Sequence, residues 1–397
     1  MDSGQALIVG GGIGGLTAAL CLQQLGFVVQ VYEQTDSTNS DGAGIQLSPN
    51  ATRVLHQVGL VDALASISSK PDSIDVQHWR SGGRVTTIQL THGGEADQSS
   101  FPYYHVHRRD LLACLTEAAT HASIPIHRGK RIDDVGVAEN HAWISGPDTH
   151  EKASLIVGAD GIHSSVRRSL FGPDKPIFSG HVAWRGIVSA ESISSKTLAT
   201  RAVLWWGPQK HVIHYPVRGG QHINVVCVDR APHWNNESWT EPGDKMDLVA
   251  AFGGWHDDVT QLIGGIDPRA CYRWGLFNHP PLKRWGRGRV TLLGDACHPT
   301  LPYLAQGAAM AIEDGAALAH CIKKCASIEN GLAAYERVRR KRTIRIQQIS
   351  RQNGYIFHLT GTAAWVRNRV ASLMGERILR HAHDYNVFAS VDEYFKG

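Results

Sequence analysis

Two textures of apolar and polar positions divide this 397-residue chain. The first is a short, wholly apolar run that ends on glycine and gives way to a helix. Ala6-Leu7-Ile8-Val9 is one such run; Gly10-Gly11-Gly12-Ile13-Gly14-Gly15 ends it, and Leu16 to Leu25 reads as an apolar helix stopped by Gly26. Phe27 to Tyr32 then makes a second strand that ends on Glu33. The texture returns at Ala153 to Val157, before Gly158-Ala159-Asp160-Gly161, and at Val290 to Leu293, before Gly294-Asp295-Ala296-Cys297-His298-Pro299. Runs of this length bounded by turn residues fit strands of a sheet covered on both faces. Long helices are expected over Ala305–Lys324 and Ile328–Ser350, and a helical C-terminus over Asn353–His383.

The second texture alternates. Val182, Trp184 and Gly186, then Val203 to Trp205, His211 to Val217 and Ile223 to Val228 alternate or run apolar between glycine-rich turns such as Arg218-Gly219-Gly220-Gln221. That pattern predicts a mostly antiparallel sheet. Residues 74–90 add two strands around Ser81-Gly82-Gly83, 92–100 a polar loop, and His105 to Leu112 a strand turning into a helix that lasts to about His121. The expected fold is α/β. A Rossmann-like cofactor domain (1–72, 101–176 and 286–350) is interrupted by a mostly antiparallel β-sheet substrate domain (73–100 and 177–285), with a helical segment over 351–397.

Composition excludes more than it selects. A formal charge of +4 is too small and too dispersed to argue for nucleic acid, and the basic run Arg337 to Arg345 reads as the solvated face of a helix. Seven cysteines without CxxC spacing fit a reduced cytoplasm and neither a disulfide framework nor a zinc site, so no metal is expected. No run is long and apolar enough to span a bilayer, which leaves a cytoplasmic enzyme without a membrane partner as the expectation.

The motifs narrow the chemistry. Gly10, Gly12 and Gly15 form GxGxxG between a strand and a helix, and Glu33 follows eighteen positions after the last glycine. The glycines permit a tight turn, the approach of a pyrophosphate and helix–sheet contact, while the acid can hold a ribose hydroxyl. This fingerprint leaves FAD and NAD both open. Asp295, at a strand's carboxyl end, suits a sugar or ribityl hydroxyl because a carboxylate accepts hydrogen bonds without bulk. The helix beyond it offers unpaired N–H groups to an electron-rich atom. Asp160 repeats the arrangement, and three such strand ends imply one extended cofactor lying across a sheet. Arg108, where a strand turns into a helix, can reach a phosphate or stand as an exposed cation. His211, Ile213 and Tyr215 share one face of a strand.

With these motifs in hand, the chain resembles the group A flavoprotein monooxygenases, the single-component FAD-dependent aromatic hydroxylases, from Gln5 to about Tyr385. It is most similar to the branch of salicylate hydroxylase, 3-hydroxybenzoate 6-hydroxylase and 6-hydroxynicotinate 3-monooxygenase. Gly42-Ala43-Gly44-Ile45-Gln46, His107-Arg108 with Asp110-Leu111, and Ala305-Gln306-Gly307-Ala308 with Glu313-Asp314 carry that likeness. The resemblance implies FAD, held by Gly10, Gly12, Gly15, Glu33, Gln46, Arg108, Asp160 and Asp295, with the helix start at Gln306, Gly307 and Ala308 aimed at the flavin N1–C2=O edge. It implies NADH or NADPH as co-substrate, O2 activation as a flavin C4a-hydroperoxide, and a monomer or homodimer. His211, Tyr215 and Pro302 match positions near the substrate, where a neutral histidine can take or polarise a phenolic proton. Gln46 stands where the 6-hydroxynicotinate enzyme has a histidine, and Pro302 where the 3-hydroxybenzoate enzyme has a glutamine. The expected substrate is therefore a small phenolic or hydroxylated heteroaromatic acid. A decarboxylating 6-hydroxynicotinate-type hydroxylase and a non-hydroxylating FAD oxidoreductase are the alternatives.

Overall fold

Gln5–Val9 lies between two parallel neighbours, Val28–Tyr32 and Leu155–Gly158, and Leu155–Gly158 in turn pairs in parallel with Val290–Leu292. The register aligns Val9 with both Tyr32 and Gly158, and Gly158 with Leu292. Glu33, Gly10, Asp160 and Asp295 therefore leave the sheet along one edge. Ile126–His127 and Gly286–Arg287 complete this six-stranded sheet at its two sides. The computed structural model describes residues 4–36, 43–90, 101–193, 201–234 and 241–396, without side chains at 372–381. The polar loop expected over 92–100 and the Gly42 of the resemblance lie outside the described residues.

Both faces of the sheet are covered, as its apolar strands require. Helix Ile13–Gln23 is buried from Ile13 to Leu22, because it is clasped between the sheet and helix Gly307–Lys324. Gly315 makes that crossing close: a Cβ there would stand 2.8 Å from the Ala18 nitrogen.

The second sheet has seven strands, in the order Tyr272–Asn278, Ile177–Ser189, His222–Arg230, Lys210–Val217, Ala202–Gly207, Ser73–His78, Arg84–Gln89. All pairs are antiparallel except Ala202–Gly207 with Ser73–His78. Strand alternation sorts its side chains into two cores. Val203, Trp205 and Val212 pack with Leu248, Phe252 and Leu262 on one face. Leu204, Trp206, Tyr215 and Val217 face the opposite way, with Tyr103 and Phe357.

Two sequence expectations change. Helix Ile328–Phe357 runs past the boundary placed at 350, so the C-terminal helices Gly361–His383 and Val387–Tyr394 begin later. The basic run Arg337 to Arg345 is not a uniformly solvated face. Arg337, Lys341 and Arg345 are exposed, but Arg339 is fully buried and Arg342 turns inward to meet Glu313. No helix among the described residues is long and apolar enough to cross a membrane.

Candidate active site

The glycine loop divides its work by position. Gly10 has φ +109, and a Cβ there would lie 2.4 Å from the Ala159 carbonyl oxygen. A Cβ on Gly15 would lie 2.0 Å from the Gly10 carbonyl oxygen, so this glycine sets how closely the helix meets the strand end. Gly12 differs: nothing lies within 4 Å of its Cβ position, and it caps the start of helix Ile13–Gln23, whose first N–H groups have no partner within the helix. Glu33 braces the loop by accepting hydrogen bonds from Gly11 N at 2.7 Å and Thr35 N at 2.8 Å.

Asp160 turns inward. Its carboxylate accepts from Ser164 Oγ at 2.5 Å, Ser165 Oγ at 3.0 Å and Val166 N at 3.1 Å, which fixes the start of helix Ser165–Phe171. Asp295 does the opposite. Every other residue of Thr291–Pro299 is buried, while Asp295 alone is exposed. Desolvation by the protein around it raises its carboxyl pKa, and the nearby charges of His298 and Arg108 oppose the rise. Arg108, the first residue of helix Arg108–His121, is thus close enough to act on Asp295 electrostatically.

A buried polar network holds this turn from beneath. Gly294, with φ +58, donates its N–H to Asp314 Oδ2 at 2.9 Å, and His298 Nε2 shares the same oxygen at 2.7 Å. Arg339 Nε donates to Asp314 Oδ1 at 2.8 Å, and its other arm pairs with Glu313 at 2.6 Å. Glu313 also accepts from Arg342 and from Asn50, which donates to Gln306. Gln306 therefore spends its side chain on Asn50 and Ser48, leaving its contribution to a ligand to the backbone at the helix start. Farther along, Gln347, Ser350 and Asn353 donate to the carbonyls of Pro299, Leu301 and Tyr303. The long helix staples the entire loop between Asp295 and Gly307.

Burial pushes the Asp314 pKa up, but His298 and Arg339 outweigh it and hold it down at about 2. An acid depressed in this way stabilises the fold above its unfolded value near 3.8 and ceases to do so as pH falls through about 2. The urea midpoint is expected to drop between these values, and Asp314→Asn to flatten that part of the profile. An unchanged acid limb in the variant would refute the assignment.

The second sheet meets this loop through His211. Its ring centroid lies 5.6 Å from that of Tyr303 and 5.5 Å from that of Phe357. Burial, then His358 and His181, hold its pKa well below the usual histidine range, so it is neutral. Tyr215, on the same strand face, has its ring centroid 4.3 Å from that of His105, the two rings tilted by 31°; burial raises its phenol pKa. Gly44 passes so close that a Cβ would stand 2.6 Å from the Tyr215 ring, and its N–H donates to Asn224 at 2.8 Å. Gln46 is buried beside it and accepts from Tyr103 at 2.7 Å. Pro302 is exposed and opens the short 3-10 turn that ends at Leu304.

Several neighbours of His211 and Tyr215 were not evident from sequence: Tyr103, His105, Tyr303, Phe357 and His358. Only His105 carried a local signal, as the inward neighbour of the His107-Arg108 junction. The others arrive from distant segments. His214, on the opposite face with Trp205, lies away from the site, as strand alternation predicts.

The residues present fit a dinucleotide flavin. An open Gly12 cradle at a helix start suits a pyrophosphate, the exposed Asp295 beyond its strand end suits a ribityl hydroxyl, and the start of Gly307–Lys324 suits the electron-rich edge of the ring. Gly12→Ala is expected to leave the melting temperature of the FAD-free protein unchanged and to weaken FAD binding tenfold or more, a loss of about 1.4 kcal/mol. Titration by flavin fluorescence checks this; unchanged affinity would place the pyrophosphate elsewhere.

Comparison with known proteins agrees. Residues 3–350 match the model of the FAD binding domain family. The chain is 37% identical over 359 residues to 3-amino-4-hydroxybenzoate 2-monooxygenase of Streptomyces platensis, covering 89% of this chain and 88% of that one. It is 36% identical over 363 residues to 6-hydroxynicotinate 3-monooxygenase of Pseudomonas fluorescens, covering 89% and 92%. Among solved structures, HpxO of Klebsiella pneumoniae with FAD and uric acid superposes with a TM-score of 0.83 at 27% identity, covering 97% of each chain. Fold, site and relatives together define an FAD-dependent monooxygenase of aromatic rings. The chain belongs to the FAD binding domain family.

Proposed function

We propose that this protein uses NADH or NADPH and O2 to hydroxylate a small phenolic or hydroxylated heteroaromatic acid, with His211 taking or polarising the proton of the substrate hydroxyl. The meeting of His211 with Tyr303 carries the reading. It brings a neutral, buried imidazole from one domain against the loop that links Asp295 to the helix start at Gly307. A ring held there lies between a proton acceptor and the flavin side of the site.

When bound, FAD would supply the redox chemistry, hydride acceptance from the nicotinamide and oxygen transfer to the ring. The chain's own residues do the rest. The glycine loop, Glu33, Arg108 and Asp295 would hold the cofactor, and the amides at Gly307 and Ala308 would stabilise negative charge at its ring. His211 favours the phenolate, which makes the ring electron-rich. Tyr215 and Tyr303 stay protonated, because burial raises both phenols; the Tyr303 hydroxyl is buried with no partner among the described residues and is free to meet a polar ligand. Arg185, buried and electrostatically felt at Tyr215, provides positive charge for a carboxylate. Phe357 and Tyr303 wall the site against water, which would otherwise divert the oxidant.

Seven cysteines without a disulfide support a reducing compartment, and we place the enzyme in the cytoplasm as a monomer or homodimer. Oxidation of NADH and NADPH by the FAD-loaded protein, with and without a panel of hydroxybenzoates, aminohydroxybenzoates and hydroxynicotinates, tests the reading. Stimulation by at least one aromatic acid is expected. Stimulation by none would refute the substrate assignment.

A further inference from the structure

We propose that His211, His358 and His181 form a proton relay that carries the substrate's hydroxyl proton out of the buried site. The inference rests on the function proposed above and extends it to two positioning residues that do not touch the substrate. His211 belongs to strand Lys210–Val217, His358 caps the long helix Ile328–Phe357, and His181 belongs to strand Ile177–Ser189. The His211 Nδ1 to His358 Nε2 distance is 2.9 Å, and the His358 Nδ1 to His181 Nε2 distance is 3.1 Å. Both nitrogens of His358 are thus engaged. Exposure rises along the chain, from 5% at His211 to half-buried rings at His358 and His181.

The polarity of the chain follows from its inner end, where the function proposed above needs an unprotonated Nε2 on His211. Neutral His211 then carries its proton on Nδ1 and donates it to His358 Nε2, and His358 in turn donates from Nδ1 to His181 Nε2. The proton of neutral His181 is left on Nδ1.

Charged and titratable neighbours do not oppose this. Burial lowers the pKa of all three rings, with Arg367 acting on His358, Arg230 adding to the effect at His181, and Asp229 opposing it there. Tyr303 and Phe357 pack on His211. Neutral rings suit the relay, because no imidazolium has to form inside the protein. As the substrate O–H bond breaks, its proton joins His211 Nε2, and the Nδ1 proton of His211 passes to His358 Nε2. The Nδ1 proton of His358 passes to His181 Nε2, and the Nδ1 proton of His181 leaves to water. One proton enters and one exits, the substrate becomes a phenolate, and each imidazole stays neutral in its other tautomer.

Nitrogen NMR of the 15N-histidine-labelled, FAD-loaded protein tests the starting state, with signals assigned from single variants. His211 is expected to show protonated Nδ1 and unprotonated Nε2; a protonated Nε2 would overturn the proposal. His358→Gln keeps a group near His211 but cuts the link to His181, and His181→Asn removes Nε2 at the outer end. Each is expected to lower turnover about tenfold, part of the usual worth of a positioned base. The KM and the rate of ligand-free flavin reduction should hardly change, and added imidazole should restore part of the turnover. Wild-type turnover in both variants would overturn the relay and leave the function intact. Failure of every aromatic acid to stimulate the parent enzyme would overturn the function, and the relay with it.

Discussion

Arg339→Met is expected to cost about 3–5 kcal/mol of stability at neutral pH, the usual effect of removing one partner from a buried ion pair. Arg339 is fully buried, as are both of its partners, Glu313 and Asp314. Arg342 still neutralises Glu313 after the substitution, whereas Asp314 keeps only His298 and the Gly294 amide. The stranded charge therefore lies directly under the turn that presents Asp295. Urea unfolding of the FAD-free protein measures the loss. Asp314→Asn introduced into the methionine variant should recover part of it, because the uncompensated charge is gone. A loss below about 1 kcal/mol is what an exposed ion pair gives and would mean that Arg339 is solvated after all.

His211→Ala should lower product formation roughly 100-fold or more, at the lower end of what a general base contributes. Bound FAD and its visible spectrum should be unchanged, since no contact of His211 reaches the glycine loop or the Asp295 turn among the described residues. Oxidation of the nicotinamide should continue with hydrogen peroxide as the product, because reduction of the flavin does not need the substrate proton to move. Peroxide and product assayed together give the ratio. Near-normal coupling in the alanine variant would remove His211 from the chemistry and shift attention to Tyr215.

The candidate cofactor site could be proposed from sequence because its signals are local. A glycine loop, the strand before it and the acid after it lie within Ala6–Glu33, and pairing then only had to bring the three strand ends together. His211 and Tyr215 were legible as a pair because strand alternation puts them on one face. Their partners were not. His358 stands 147 residues from His211, and nothing near it in sequence announces a contact.

Arg339 shows a different limit. The inner face of its helix, Tyr335, Arg339, Thr343, Ile346 and Ser350, keeps helical spacing, yet only two of the five are apolar. A buried stripe that is mostly polar has no hydrophobic period to read, and within a run of arginines it resembles a solvated face. Its purpose emerges only from its partners, the two acids at Glu313 and Asp314 and the loop carbonyls at Pro299, Leu301 and Tyr303.

The most direct test is a turnover under 18O2 with FAD-loaded protein, NADH or NADPH, and each aromatic acid that stimulates oxidation. Hydroxylation is expected to give a product carrying one 18O atom, formed in step with the reductant consumed. A decarboxylating reaction would show the same label with loss of the carboxylate mass. Reductant consumed with only hydrogen peroxide formed, or a product without label, would contradict the assignment of this protein as an aromatic-ring hydroxylase.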